Sequence, residues 1–223
     1  MDAASLSVPQ LPAMDWSLLP LDVLSSVFAR LRFVDFLMGV GLVCRSWLDA
    51  AKVPDVWRVV ELDDHKIIDK KYLDMLRAMA KAGVDRSNGQ LRVFTGRLFV
   101  TEEFLKYILQ RSPSLTTLRL VSCFSTLFSE DVADVVSESP LSELRSLKLD
   151  KVDVTLEELT AVIQNWFVLE VLTMRDCLGM HQEDEPVLQA KFARMKTLTF
   201  ECLLEPRYYL DSSEDELMMM QEH

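Results

Sequence analysis

Two hydrophobic periods divide the chain near Trp57. Before that residue, four apolar side chains recur at the i, i+3, i+4 and i+7 spacing of one helix face, and Pro20 precedes them in a position that favours a helix start. These side chains are Leu24, Val27, Phe28 and Leu31. Two further apolar segments cover residues 34–42 and 43–51, and the step from Val53 to Pro54 ends the second of them. The pattern predicts a compact unit of three helices.

From Trp57 onward a nine-residue pattern recurs, with apolar residues at positions one, four and six and a small or apolar residue at position nine. Its copies are WRVVELDDH from Trp57, LRVFTGRLF from Leu91, LTTLRLVSC from Leu115, LRSLKLDKV from Leu144, LEVLTMRDC from Leu169 and MKTLTFECL from Met195. The first two copies match less closely than the last four. Steps of 24, 29, 25 and 26 residues separate the five later copies, inside or at the edge of the range for leucine-rich repeats. The copies predict strands, with cores near residues 91, 115, 144, 169 and 195.

Helix-like stretches separate the predicted strands. They cover residues 101–110, 129–137, 155–166 and 183–194. One more helix is predicted over residues 69–82, before a loop at 83–89, and Thr155 with Glu158 predicts a capping box. One strand-helix unit cannot bury its own apolar face, whereas stacked units share a continuous core. The predicted fold class is therefore α/β: three N-terminal helices, then a short leucine-rich repeat solenoid with a curved parallel sheet and helices on its convex side.

Charge and composition argue against several kinds of partner. The formal net charge is −11 and no basic run is present, so a phosphate backbone would be repelled and nucleic acid is not an expected partner. Residues 33–44 are too few to span a bilayer and include Asp35, and residues 1–14 lack the regions of a secretion signal, so no membrane contact is expected. Four cysteines without a CxxC pair fit a reducing compartment, which predicts a cytoplasmic or nuclear protein.

No pattern typical of an active site is present. The chain has no Gly-rich phosphate loop, GxSxG elbow or HExxH motif, so an enzyme is disfavoured and no cofactor is expected. His181 stands beside the acidic residues 183–185, but a lone His in such a run lacks the ligand set of a metal site, so a solvated loop is predicted. Cys123 and Cys177 each close a repeat copy and are predicted to be buried small residues rather than reactive thiols.

Three segments carry a resemblance to a known family. The F-box is resembled, over residues 15–62, by the segments LLPLDVLSSVFARL, LVCRSWLDAA and VPDVW in this order. The segment GVGLVCRSW is similar to the plant branch of that family. With leucine-rich repeats over residues 63–205, nearly the whole chain resembles the F-box/LRR-repeat proteins. Outside this resemblance, residues 1–14 are predicted to be a disordered N-terminal segment and residues 206–223 a mobile acidic tail.

The resemblance implies a substrate-recognition subunit of an SCF-type ubiquitin ligase. In that family the F-box binds a Skp-type adaptor, which links it to a cullin, and the repeats hold a target protein for ubiquitylation. Carried over by position, the adaptor contacts are Leu19, Pro20, Leu24, Val27, Phe28, Leu31, Val43, Cys44 and Trp47. A role in the module's own core is an equal alternative for the helix-face residues, and Trp47 is expected to be mainly a structural anchor. An alternative function is a repeat-based binding or inhibitory protein that uses the adaptor without delivering a target.

Strand positions that alternate with the buried leucines are predicted to face the concave side of the sheet. The substrate-facing residues predicted there are Arg97, Arg119, Lys148, Asp150, Arg175 and Glu201. Arg119, Lys148 and Arg175 are expected to form a basic cluster, which suits a target protein with an acidic or phosphorylated segment. The alternative for each residue is that it lies on an ordinary solvated sheet face. The pattern is also compatible with a small-ligand pocket on this face.

Overall fold

The computed structural model of the chain describes residues 15–63, 72–124, 127–138 and 141–201. The predictions that fall wholly or partly outside these ranges include the N-terminal segment 1–14, the start of the helix at 69–82, both ends of the repeat series and the tail 206–223. Within the described ranges, no helix is both long enough and apolar enough to cross a lipid bilayer.

Three short α-helices form the N-terminal unit, as the apolar segments predicted. α1 comprises Leu21–Phe28, α2 Phe33–Gly39 and α3 Arg45–Ala50, and 3-10 helices cover Trp16–Leu18, Val40–Leu42 and Pro54–Trp57. The residue before each of these three described α-helices makes no side-chain cap, so packing stabilises them. Aromatic rings fill the core: the centroid of Phe36 lies 4.6 Å from that of Trp57 and 5.2 Å from that of Phe28.

Six strands of the described chain form one parallel sheet, in the order in which they occur. β1 comprises Val59–Leu62, β2 Val93–Arg97, β3 Thr117–Val121, β4 Ser146–Asp150, β5 Val171–Arg175 and β6 Thr197–Glu201. One row of register partners runs through Val60, Phe94, Leu118, Leu147, Leu172 and Leu198. The first five side chains are fully buried, and Leu198 is half-buried because no described strand lies beyond β6. All six repeat copies are therefore confirmed as strands of one core.

A helix follows each of the first five strands. α4 comprises Leu73–Ser87, α5 Glu102–Arg111, α6 Glu130–Glu138, α7 Leu156–Ile163 and α8 Asp184–Lys191. Thr101 accepts a hydrogen bond from the backbone N–H of Phe104, and Thr155 with Glu158 forms the predicted capping box. α4, α5, α6 and α7 pack side by side in this order along the array. The predicted α/β class, with N-terminal helices and a parallel sheet lined by helices, is confirmed.

The loop predicted at residues 83–89 is largely wrong, because α4 continues to Ser87. Gly83 serves packing rather than a turn: a Cβ there would lie 2.7 Å from Val60 and 2.8 Å from Phe33. The helix ends only at Asn88 and Gly89, which both adopt positive φ. Gly83 therefore marks the place where α2, β1 and α4 meet, and the helical unit shares its core with the repeats.

Each of the four middle strands is followed by one residue with a left-handed backbone. These residues are Leu98, Ser122, Lys151 and Asp176, with φ between 50° and 60°. Each donates its N–H to the carbonyl of the last residue on the next strand, over 2.7–3.1 Å. At the opposite end of β2 to β6, two successive N–H groups share one carbonyl of the preceding repeat. These bonds extend the ladder beyond both strand ends and fix the register.

Candidate protein-interaction surfaces

The helical unit exposes a large share of its apolar side chains. Sixteen large hydrophobic residues of the described chain are exposed, and nine of them lie within this short unit. The nine are Trp16, Leu18, Leu21, Val23, Leu31, Met38, Leu42, Val43 and Leu48. Apolar surface of this extent on a small unit is typical of a binding face rather than of a free monomer.

Two hydrogen bonds join the two segments that carry four of these residues. The hydroxyl of Ser46 donates to the carbonyl oxygen of Ser17 over 2.9 Å, and the indole N–H of Trp47 donates to the carbonyl oxygen of Trp16 over 3.0 Å. They join the segment before α1 to the start of α3, which directly follows Leu42, Val43 and Cys44 in the chain. The exposed residues of these two adjoining segments, Trp16, Leu18, Leu42 and Val43, are named the apolar junction. Leu42 is 86% exposed and Leu18 is 77% exposed.

Cys44 lies at the edge of the apolar junction, directly before α3. Its Sγ lies 3.1 Å from the Ser46 hydroxyl, and this hydrogen bond, together with backbone N–H groups at the helix start, holds the pKa of the Cys44 thiol below its ordinary value. Cys44 is half-buried. The thiol is therefore more acidic than that of an ordinary cysteine and partly accessible.

The second surface is the open face of the sheet, made by the strand residues that alternate with the buried row. On β3, Thr117, Arg119 and Val121 are partly exposed while Leu118 and Leu120 are buried, as the alternation predicted. Thr95 on β2 departs from this pattern and is buried. Arg119 is its register partner on β3, and the Arg119 side chain crosses β2, the strand that carries Thr95, to reach Asp63.

Ion pairs neutralise two of the three cations predicted to cluster on the open face. Arg119 contacts Asp63 over 2.8 Å and Asp150 over 3.1 Å, and Arg175 contacts Glu201 over 3.0 Å. Lys148 is exposed and forms no ion pair with any residue in the described ranges. The open face therefore alternates in charge, with one solvated ammonium at its centre.

Comparison with known proteins agrees with this architecture. An F-box-like family model matches residues 16–62. The chain is 33% identical over 148 residues to F-box/LRR-repeat protein 23 of Arabidopsis thaliana, covering 63% of this chain and 32% of that protein. It is 30% identical over 178 residues to F-box protein SKIP19 of the same plant, covering 79% of this chain and 57% of that protein. The chain carries an F-box-like domain and is similar to F-box/LRR-repeat proteins. It spans about a third and rather more than half, respectively, of the lengths of these two relatives.

The predicted adaptor contacts of the F-box fall into three groups by exposure. Pro20, Leu31 and Val43 are exposed; Leu19, Val27, Cys44 and Trp47 are half-buried; Leu24 and Phe28 are buried, at 2% and 3% exposure. Leu24 and Phe28 take the core role that was the alternative for the helix-face residues, because Phe28 packs its ring 5.5 Å from that of Trp47 inside the module and Leu24 joins the same core. For all nine residues, contact with the adaptor stays a prediction.

Three residues of the apolar junction were missed by the sequence reasoning: Trp16, Leu18 and Leu42. None of them belongs to a periodic helix face, since Trp16 and Leu18 lie in a 3-10 helix before α1 and Leu42 ends another after α2. The sequence could have indicated them in another way, because they are large apolar residues in segments too short to form a buried helix face. Such residues gain no burial from helix packing, which leaves them available to a partner.

The prediction of a joint basic cluster on the open face is wrong. Lys148 is the register partner of Arg119, but Arg175 is paired with Asp150 and Glu201, two residues further along the strand. The side chains of Arg119 and Arg175 are also held by carboxylates. Arg97 ends β2 and is half-buried, whereas Glu201 ends β6 and is exposed. Whether these six residues face a substrate stays a prediction.

Cys123, Cys177 and His181, which lie within the described ranges, show no sign of reactive chemistry. Cys123 and Cys177 are buried, and burial raises the pKa of each thiol to about 11, so both stay protonated. Asp184 accepts a hydrogen bond from the backbone N–H of His181 over 2.8 Å, which orders the turn before α8. Among the residues that the structure describes, no three His, Cys, Asp or Glu side chains are grouped to hold a metal ion.

Proposed function

We propose that this protein is a substrate-recognition subunit of an SCF-type ubiquitin ligase. Its F-box binds a Skp-type adaptor, which links it to a cullin, and its leucine-rich repeats bind a target protein. The protein itself performs no bond chemistry and needs no cofactor. A cytoplasmic or nuclear site of action fits this role and the absence of CxxC pairs among its four cysteines.

The observation that carries the proposal is the apolar junction on a chain whose residues 16–62 match the F-box-like family. More than half of each of its side chains is exposed, so a partner that covers them adds hydrophobic free energy that folding of the module does not supply. Leu19, Pro20, Val43, Cys44 and Trp47 lie in or beside the junction and are its accessible predicted contacts. We assign this surface to the adaptor.

The open face is the surface that we assign to the target protein. It combines hydroxyl groups, ion pairs and one unpaired ammonium, which is a surface suited to polar protein recognition rather than to a deep apolar ligand site. An acidic or phosphorylated segment of the target is the ligand that Lys148 fits, since Arg119 and Arg175 already hold carboxylates. Nucleic acid and membranes are not partners in this proposal.

Adaptor capture by purified F-box variants tests the first half of the proposal. Leu42→Asp and Leu18→Asp place a charge on the apolar junction without entering the core, so each is expected to weaken capture of a recombinant Skp-type adaptor by about tenfold or more. Phe167→Asp is the matched control, because Phe167 is 72% exposed but lies in the repeats. Capture at wild-type affinity by both junction variants, with the fold retained, would show that the adaptor binds elsewhere.

Ubiquitin transfer tests the second half. A reconstituted ligase containing the adaptor, the cullin and this protein is expected to modify a target captured by the repeats, and to lose that activity with Leu42→Asp. If the target is bound but never modified, the protein is instead a repeat-based binding or inhibitory protein that uses the adaptor without delivering a target.

A further inference from the structure

A second, shorter ladder lies beyond the left-handed residues at the carboxyl ends of β3, β4 and β5. The N–H of Asp153 donates to the carbonyl oxygen of Cys123 over 3.0 Å. The N–H of Leu178 donates to the carbonyl oxygen of Val152 over 2.9 Å, and Asp153 and Leu178 are parallel partners. In a parallel ladder, the first of these bonds places Phe124 opposite Asp153. Phe124, Asp153 and Leu178 therefore form one row across three neighbouring segments.

The three side chains of this row point away from the core. Phe124 is 59% exposed, Leu178 is 48% exposed and Asp153 is half-buried. Four of their chain neighbours are buried, as strand alternation requires: Cys123, Val152, Val154 and Cys177. The row is named the rim site. It presents one carboxylate between two large apolar side chains, on three segments that together span about 10 Å.

The charge at the rim site favours a cation. Asp153 forms no ion pair with a residue in the described ranges. The described parts of the three segments carry two carboxylates, Asp153 and Asp176, and one ammonium, Lys151. Arg175, at the end of β5, is already paired with Glu201. The balance is one negative charge, on a protein whose formal net charge is −11, so a cation is attracted at both short and long range.

We propose that the rim site binds an arginine side chain of the target protein, an inference that rests on the proposed function of the repeats. The aliphatic stem of an arginine covers Phe124 and Leu178, while its guanidinium donates two parallel hydrogen bonds to the carboxylate of Asp153. Arginine fits better than lysine, because a guanidinium is planar, more weakly hydrated and able to stack on an aromatic ring. Arg86 already does so in this molecule, 4.8 Å from the ring centroid of Trp57.

The rim site gives the target a defined orientation. Lys148, the unpaired ammonium of the open face, and Asp153 belong to the same repeat and are five residues apart, which limits their separation to about 18 Å. A target with an acidic group and an arginine at the matching separation contacts both at once. Turning that target end to end brings like charges together, so the pair selects one orientation.

An NMR titration of the nitrogen-15-labelled whole chain tests the site. The probe is a blocked leucine–arginine–leucine tripeptide, and the control is its citrulline analogue, which has nearly the same shape without the charge. We expect the arginine peptide to produce saturable shifts at the backbone amides of Phe124, Asp153 and Leu178. The citrulline peptide should bind at least fivefold more weakly, and a lysine analogue at least threefold more weakly.

Matched variants separate the rim site from general charge and general hydrophobicity. Asp153→Asn should weaken binding of the arginine peptide at least fivefold, whereas Asp134→Asn, which removes an exposed carboxylate on α6, should change it less than twofold. Phe124→Ala should weaken binding at least threefold. Phe167→Ala should leave it unchanged, because Phe167 is 72% exposed but lies between α7 and β5.

Several results would overturn the proposal. They are the absence of saturable shifts at the three amides, equal binding of the citrulline or lysine peptide, and wild-type affinity in Asp153→Asn. Shifts of the same amides on dilution without peptide would show that a second copy of the chain covers the rim site, which overturns it as well. Adaptor capture and ubiquitin transfer do not enter this readout, so the inference and the proposed function fail separately.

Discussion

The F-box and the repeat array use their apolar residues in different ways. In the array, each central rung of β2 to β5 is fully buried between its neighbours, and the helices α5 and α7 begin with side-chain caps. In the F-box, helices of six to eight residues lack such caps and much of the apolar surface faces solvent. In the array, neighbouring repeats therefore bury each other's apolar side chains. In the F-box, part of the apolar surface stays exposed and can be buried only by a partner.

The binding surfaces of the F-box and of the array arise in different ways. On the F-box, binding arises from apolar residues that folding does not cover. On the array, folding covers every apolar rung up to β5, so that only the alternate, mostly polar positions remain for recognition. One surface is suited to a constant apolar partner, and the other to partners distinguished by charge and hydrogen bonding.

Removing a central rung should produce the largest effect and test how strongly the array depends on continuous burial. Leu147→Ala is expected to lower the free energy of unfolding by about 3 kcal/mol, because it removes a fully buried side chain and leaves a cavity. Lys148→Ala beside it should cost less than about 0.5 kcal/mol, because its side chain is solvated. Urea denaturation monitored by circular dichroism measures both values, and similar losses would contradict the alternation.

The matched change in the F-box is Leu24→Ala. Leu24 is also buried, yet we expect its loss to weaken amide hydrogen-exchange protection mainly in residues 15–57 and to leave β2 to β5 protected. Equal loss of protection in both regions would show that the F-box and the array unfold as one unit, and the contrast between them would then be one of surface only.

The contact between the two regions should be sensitive to a single methyl group. Gly83→Ala is expected to destabilise the protein by about 2 kcal/mol, because the new Cβ overlaps Val60 and Phe33 and must displace one of them. Gly39→Ala is the control, since no atom lies within 4 Å of a Cβ at that position. Thermal unfolding compares the two, and a neutral Gly83→Ala would mean that the regions pack less tightly than their geometry indicates.

Caps of the array helices should contribute a smaller amount. Thr155→Ala is expected to cost about 1 kcal/mol, because it removes the hydroxyl that accepts the N–H of Glu158. Glu158→Gln retains an oxygen acceptor for the backbone N–H of Thr155 and should be close to neutral. Chemical denaturation of both variants provides the measurement, and equal losses would indicate a charge effect instead of capping.

Thiol reactivity should separate the regions without changing stability at neutral pH. At pH 8, Cys44 is expected to react with iodoacetamide about a hundredfold faster than Cys123 or Cys177, because its pKa is lowered while theirs is about 11. Since the folded-state pKa of the two buried thiols exceeds the ordinary value, their contribution to stability is present below pH 9 and lost as the pH rises toward 11. Peptide mass spectrometry resolves each site, and equal rates would contradict the burial.

Local periodicity explains what the sequence could predict. The nine-residue copies and the helix stretches between them depend on neighbours a few residues apart, and strands, caps and the buried row follow from that spacing. The exposed alternation on β3 and β4 followed for the same reason.

The features that the sequence could not predict depend on contacts between segments far apart in the chain. Gly83 was interpreted as a loop residue because its reason, the approach of Phe33 and Val60, lies 50 and 23 residues away. The charge of Arg119 was counted as available because its partner Asp63 is 56 residues distant. Burial of Leu24 and Phe28 likewise depends on how α1 packs against the rest of the F-box, which helical spacing alone does not specify.

The ladder of bonds beyond both strand ends has an evolutionary consequence. Register partners on successive strands are separated by 34, 24, 29, 25 and 26 residues, yet the strands stay aligned residue for residue. An insertion or deletion in a connecting segment is absorbed on the helix side, so the side chains of the sheet keep their mutual spacing. Variants of the gene can therefore differ in length while the side chains of the recognition surface keep their relative positions. Single substitutions at these positions are then sufficient to change which partner binds.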